Sequence, residues 1–129
     1  MSMRVGHIEL FCTDTLASRD FYRDVLGFQQ VTTVPEEPPF VFVWMKQGNV
    51  DVFLNVPQPE SDSPVPLSKS IAGTNTMYVK LQGIDDLAAR VHKNGVTPAI
   101  AMHKEFYGMK EFGVLDPDGY LIVFAEPTQ

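Results

Sequence analysis

The chain has 129 residues, with 10 Lys and Arg against 16 Asp and Glu, a net charge of −6, and 44% hydrophobic and 20% charged residues. That length suits one domain or two very small repeats, and the composition is that of a globular protein able to bury a core. The acidic balance argues against nucleic acid, whose phosphates need a basic surface, and no segment approaches the ~20 apolar residues of a membrane span.

The single cysteine, Cys12, leaves no internal disulfide, so the reducing cytoplasm is the expected compartment. It lies in the apolar run GHIELFC and reads as a buried, inert thiol. The surrounding VGHIELFC reads as a strand. TDTLASRDFYRDVLGF follows as a helix, with Asp14 as its cap, an apolar face from Leu16, Tyr22 and Val25 beside Phe21, and Gly27 as its stop. QQVTTV, FVFVWMK and VDVFLNV are three further strands, the first pair separated by PEEPP and the second turned at Gly48-Asn49. A stretch rich in Pro and Ser, 58–72, reads as a linker.

The order then begins again. TMYVKLQ is a strand, and IDDLAARVHKNG is a helix with Asp85 or Asp86 as cap and Gly95 as stop. TPAIAM is extended, MKEFGVL is a strand, and DPDGYLIVFAE is a turn plus a strand. Leu10 and Leu81 end matching strands, and Gly27 and Gly95 end matching helices, each pair about 70 residues apart. Each half is therefore βαβββ. The predicted fold is α+β: two tandem modules, 1–57 and 73–129, forming a curved mixed sheet with a concave cleft and helices on the outer face. A half of ~60 residues has too little core to stand alone, so the two should pack as one domain.

Side chains alternate along a strand, and each sheet must bury one face under its helix. Ile8, Leu10 and Cys12 form the helix-side set of the first strand, leaving His7, Glu9 and Phe11 on the other face. In VDVFLNV the valines and Leu54 go under the helix, leaving Asp51, Phe53 and Asn55. In TMYVKLQ the remaining set is Thr76, Tyr78 and Lys80; in the last strand Tyr120, Ile122 and Phe124 pack inward, leaving Leu121, Val123 and Ala125. Aromatics mixed with a few polar groups are how a ligand cavity is lined.

The paired βαβββ modules, the helix end DFYRDVLGF and the late turn DPDGY resemble the vicinal oxygen chelate superfamily. That group holds glyoxalase I, extradiol dioxygenases, fosfomycin-resistance enzymes and bleomycin-resistance proteins, and EFYGMKEFGVLDPDGYLIVFAEP looks most like the bleomycin-resistance branch. The resemblance implies a concave sheet that, in the enzymes, holds a divalent metal on His, Gln or Glu from the first and last strand of each module. Carried over residue by residue, it yields His7, then Asp51 (shorter than the usual Glu), then Tyr78 where a His is typical, then Val123, which has no donor. Glu9 is one strand step beyond His7, and Glu126 has the wrong parity unless a bulge intervenes. No complete metal site is expected; the alternative is one divalent ion (Mn, Ni, Zn or Fe) with His7 and Asp51 as its weak ligand candidates. The resemblance further implies a homodimer with strand or module exchange.

The expected function is binding of a small aromatic or cationic molecule without a complete metal site. The residues assigned to that role are His7, Glu9, Phe11, Trp44, Asp51, Phe53, Asn55 and Tyr78. The resemblance adds His103, Phe106, Tyr107 and Met109 as a rim. Trp44 is either core or a stacking platform, and Asp51 either a general base of raised pKa or the partner of Lys80 or His7. The rival is a metal-dependent lyase, isomerase or dioxygenase-type enzyme acting on a small oxygenated substrate; a third reading is a metal-free enzyme with His7 as acid or base. Asp116 and Asp118 read as a turn rather than a catalytic pair, and no Ser-His-Asp, P-loop or GxGxxG pattern occurs.

Overall fold

A computed structural model describes residues 1–3, 7–56 and 75–128. The expected 58–72 linker lies outside them. Two βαβββ modules follow one another. The first has β1 (Ile8–Phe11), α1 (Thr15–Asp20), a π-helical segment (Phe21–Val25), β2 (Gln29–Val34), β3 (Phe42–Gln47) and β4 (Val50–Asn55). The second has β5 (Thr76–Lys80), α2 (Ile84–Lys93), β6 (Ile100–Lys104), β7 (Met109–Leu115) and β8 (Leu121–Pro127). Each module builds its own four-stranded mixed sheet, ordered β1-β4-β3-β2 and β5-β8-β7-β6. The first and last strands of each module lie side by side and parallel, because the helix carries the chain back across the sheet.

The first helix departs from a plain α-helix. Asp14 caps it, accepting from the Ala17 N–H at 3.1 Å. After Asp20 the turns widen: Leu26 N–H reaches Phe21 O, and Phe28 N–H reaches Tyr22 O. This π-helical end seats Tyr22 and Val25 in the core before Gly27, at φ 79°, turns the chain into β2. The second helix corrects an expectation. Its cap position is Gly83, not Asp85 or Asp86, and Glu126 reaches from β8 to accept from the Gly83 and Ile84 N–H groups. Glycine offers no capping side chain, so a carboxylate remote in sequence takes that role.

One core joins the modules. Leu10, Tyr22, Val43 and Leu54 of the first belong to the same buried cluster as Ile84, Val91, Phe112 and Ile122 of the second. The Asp-Pro-Asp-Gly turn ties them together. Asp116 accepts from its own turn, at Asp118 N–H and Tyr120 N–H (both 2.9 Å), and from the buried Tyr22 hydroxyl at 3.0 Å. Asp118 accepts from the Thr13 hydroxyl at 2.7 Å and from Thr13 N–H, with the Ser18 hydroxyl at 3.4 Å. The Tyr120 hydroxyl donates to Phe11 O at 2.9 Å. Among the described residues no helix is long and apolar enough to cross a membrane.

Candidate functional site

Strand alternation sorts the side chains as expected. Leu10, Cys12, Val52 and Leu54 are buried on the helix side, while Glu9, Phe11, Phe53 and Asn55 occupy the opposite face at partial or full exposure. Burial pushes the Cys12 thiol up to about 12, which fits an inert core residue.

The register assembles the open face of the first sheet. Glu9 lies opposite Phe53, Phe53 opposite Trp44, and Phe11 and Phe42 flank Asn55. The His7 ring lies over Phe53 with centroids 3.7 Å apart, and Phe53 meets Phe42 at 5.0 Å and Trp44 at 5.6 Å, both edge-on. Trp44 is thus a platform on the open face, half-buried by its neighbours rather than enclosed in the core. Asn55 donates to Glu9 at 3.3 Å.

Asp51 contradicts two expectations. Its hydrogen bonds come from neither Lys80 nor His7: it accepts from the Trp44 indole N–H at 2.8 Å and from Lys46 Nζ at 3.2 Å, and His7 adds only a smaller charge effect. The indole hydrogen bond first, then the Lys46 ammonium, hold its carboxyl below the usual range, so it is no general base of raised pKa. Lys46 faces Asp51 across the β3–β4 hairpin, a pairing that only the register reveals.

The open face of the second sheet is built around Glu111. Its carboxylate is nearly buried, 6% exposed, and Oε2 accepts from both the Tyr78 hydroxyl and the Tyr107 hydroxyl, the latter at 2.7 Å. Those bonds raise both phenol pKa values. Between β5 and β7 runs β8, which presents Val123 and Ala125 there, side chains small enough for Tyr78 to span. His103 stands opposite Glu111, its Nδ1 2.9 Å from Ala101 O and its Nε2 3.0 Å from Glu105 Oε1. Met109 opens β7 half-buried, Tyr107 is half-exposed, and Phe106 is 98% exposed with its ring edge-on to Tyr107.

Two residues of this group, Glu105 and Glu111, were absent from the expected site. The signal for Glu111 was present: Phe112 and Val114 of MKEFGVL belong under the helix, which sends Glu111 to the open face. Glu105 sits in the β6–β7 connection, where no strand parity places it.

Among the described residues, no hydrogen bond, ion pair or ring contact joins the His7–Phe53–Trp44 group to the Tyr78–His103–Glu111 group. A cavity of about 610 Å³ lies instead where the modules meet on the helix side, between Leu26, Phe28, Val79, Leu87 and Phe124, with Lys80 and Arg90 in its lining. It contains none of the expected site residues.

The metal positions implied by the resemblance do not fit an ion. His7 lies over Phe53, Asp51 is engaged by Trp44 and Lys46, the Tyr78 hydroxyl is turned to Glu111, and Val123 is apolar. Glu126, the remaining rescue, caps α2.

Comparison with known proteins agrees with this architecture. Residues 4–124 match the family model described as the Glyoxalase/Bleomycin resistance protein/Dioxygenase superfamily. A bleomycin resistance protein of Geobacillus stearothermophilus is 29% identical over 120 residues, 88% of this chain and 89% of that protein. TioX from Micromonospora sp. ML1 superposes with a TM-score of 0.78 at 19% identity, covering 96% of this chain and 99% of that one. TnmS3, an antibiotic binding protein from Streptomyces sp. CB03234, superposes with a TM-score of 0.76 at 18% identity, covering 98% of both chains. With its paired βαβββ modules and a family match spanning nearly its whole length, the chain belongs to the glyoxalase/bleomycin resistance/dioxygenase superfamily.

Proposed function

We propose that the protein binds a small molecule bearing an aromatic or cationic portion on the open sheet faces, without chemistry at the metal positions of its enzyme relatives. The observation that carries this reading is the cluster of His7, Phe42, Trp44 and Phe53 rings bordered by the Glu9 and Asp51 carboxylates. Rings supply flat apolar area, and the carboxylates favour a cation beside it. The names of the bleomycin resistance and antibiotic binding relatives point in the same direction.

A homodimer is part of the proposal. Among the described residues no contact joins the two open faces, and a second copy can oppose the first-module face of one chain to the second-module face of the other. Tyr78, Tyr107, Phe106 and Met109 would then close the cleft from the other side. The expected 58–72 linker supplies the length for module exchange.

Trp44 is the only tryptophan, so its fluorescence reports directly on this face. Titration with bleomycin and with the planar cation ethidium is expected to quench it and to raise the melting temperature. Phe53→Ala, which removes the central ring, should weaken such binding by roughly tenfold, the equivalent of about 1.4 kcal/mol. If neither probe quenches Trp44, or Phe53→Ala binds as tightly as wild type, the reading fails.

A further inference from the structure

We propose that His103, Glu105 and Glu111 bind a first-row divalent metal ion at the β6–β7 hairpin, away from the first and last strands that carry metal in the family's enzymes. One ligand atom from each of the three side chains lies within 4.8 Å of the others. His103 Nε2 is 3.0 Å from Glu105 Oε1 and 3.8 Å from Glu111 Oε1. Metal bonds of about 2.0–2.2 Å at tetrahedral angles separate donors by about 3.4 Å, so small side-chain shifts bring the set into range.

The hydrogen bonds around the cluster give its polarity. Ala101 O can only accept, so His103 Nδ1 carries a hydrogen and donates to it. In the neutral imidazole Nε2 then presents a lone pair, and the two carboxylate oxygens it faces present lone pairs as well. Three lone pairs facing one space repel one another unless a proton, a water or a metal ion lies between them. A proton on Nε2 satisfies one line of approach, whereas a metal ion satisfies all three. Two carboxylates with a neutral imidazole also sum to the charge that a dication balances.

The outer contacts are those that orient metal ligands. The Ala101 carbonyl holds the imidazole tautomer, and the Tyr78 and Tyr107 hydroxyls occupy Glu111 Oε2, leaving Oε1 toward His103. Glu111 is fixed by burial, while His103 and Glu105 are about one-third exposed, at 36% and 33%, which leaves a path of entry. The β6 bulge between Ile100 and His103 aims the imidazole at this point. Nitrogen and carboxylate donors without thiolate suit Zn²⁺, Ni²⁺, Fe²⁺ or Mn²⁺.

The test is calorimetric titration of the chelator-stripped full chain with Zn²⁺ and, separately, Mn²⁺. One Zn²⁺ per chain is expected, with Mn²⁺ weaker, following the usual order of divalent affinities. His103→Gln and Glu111→Gln should each lower Zn²⁺ affinity by at least about tenfold, and Tyr78→Phe by roughly tenfold through loss of ligand orientation. His92→Gln, on the exposed surface of α2, should leave it unchanged. His103 is partly exposed, so its variant is expected to fold, with circular dichroism as the check. The proposal is overturned by absence of saturable Zn²⁺ binding to wild type, or by His103→Gln binding as wild type does. A His103 Nε2 NMR resonance that remains that of an imidazolium at saturating Zn²⁺ overturns it too, because the cation in the cluster is then a proton.

Discussion

Single residues show how a neighbour converts one chemical character into another. On an apolar sheet face Asp51 reads either as a base of raised pKa or as an ion-pair partner, and the Trp44 indole and the Lys46 ammonium hold its pKa below the usual range. A carboxyl whose folded-state pKa lies below its unfolded value contributes stability that is present above the unfolded pKa and lost as pH falls through the folded one. The indole hydrogen bond is the largest cause, so Trp44→Phe, which keeps a ring on the face, should raise the Asp51 pKa toward the ordinary carboxylate range. It should also shift the loss of this contribution to higher pH. Carboxyl ¹³C NMR titration checks this; an unmoved Asp51 midpoint would mean that Lys46 alone holds the charge. The residue types on both open faces were legible, because alternation sends Glu9, Phe53 and Tyr78 away from the helices. Their partners were not, since Lys46 and Glu111 are chosen by registers between strands.

At the scale of elements, strands were easier to locate than helix ends. QQVTTV and MKEFGVL form β2 and β7 over the bounds their patterns suggested, and Asp14 caps α1. The start of α2 is not legible locally, because local rules look for a capping side chain within the segment, whereas Glu126 supplies one from β8. Glu126→Ala should therefore uncap α2 and destabilise the fold by about 1 kcal/mol, with metal binding at His103 unchanged. Urea denaturation alongside the Zn²⁺ titration measures both. A variant as stable as wild type would show that water serves the helix end equally well. The π-helical segment had no sequence signature that separates it from α-helix, since both present Tyr22 and Val25 inward.

Over the whole molecule, the second module's turn acts as a clasp on the first. DPDGY is a turn, as its residues suggest, but its two carboxylates also reach Tyr22, Thr13 and Ser18. With one core running through both modules, unfolding should be a single transition. Asp118→Ala, which breaks the links to Thr13 and Ser18, should lower stability by about 1–3 kcal/mol while the urea m-value stays the same. Two resolved transitions in wild type or variant would show that the modules unfold separately.

The duplication, the module order and the sorting of side chains into core and open face follow from the sequence alone. They depend on periodicity and on glycine stops, which are local properties. Which open-face residues meet was decided only by the tertiary structure. Ile100 and His103 are an odd number of positions apart, and simple alternation would send them to opposite faces. The bulge in β6 brings His103 onto the same face as Glu111, opposite it in register. An extra residue in a strand inverts the parity of everything beyond it, and no local pattern in TPAIAMHKEF records where that residue sits.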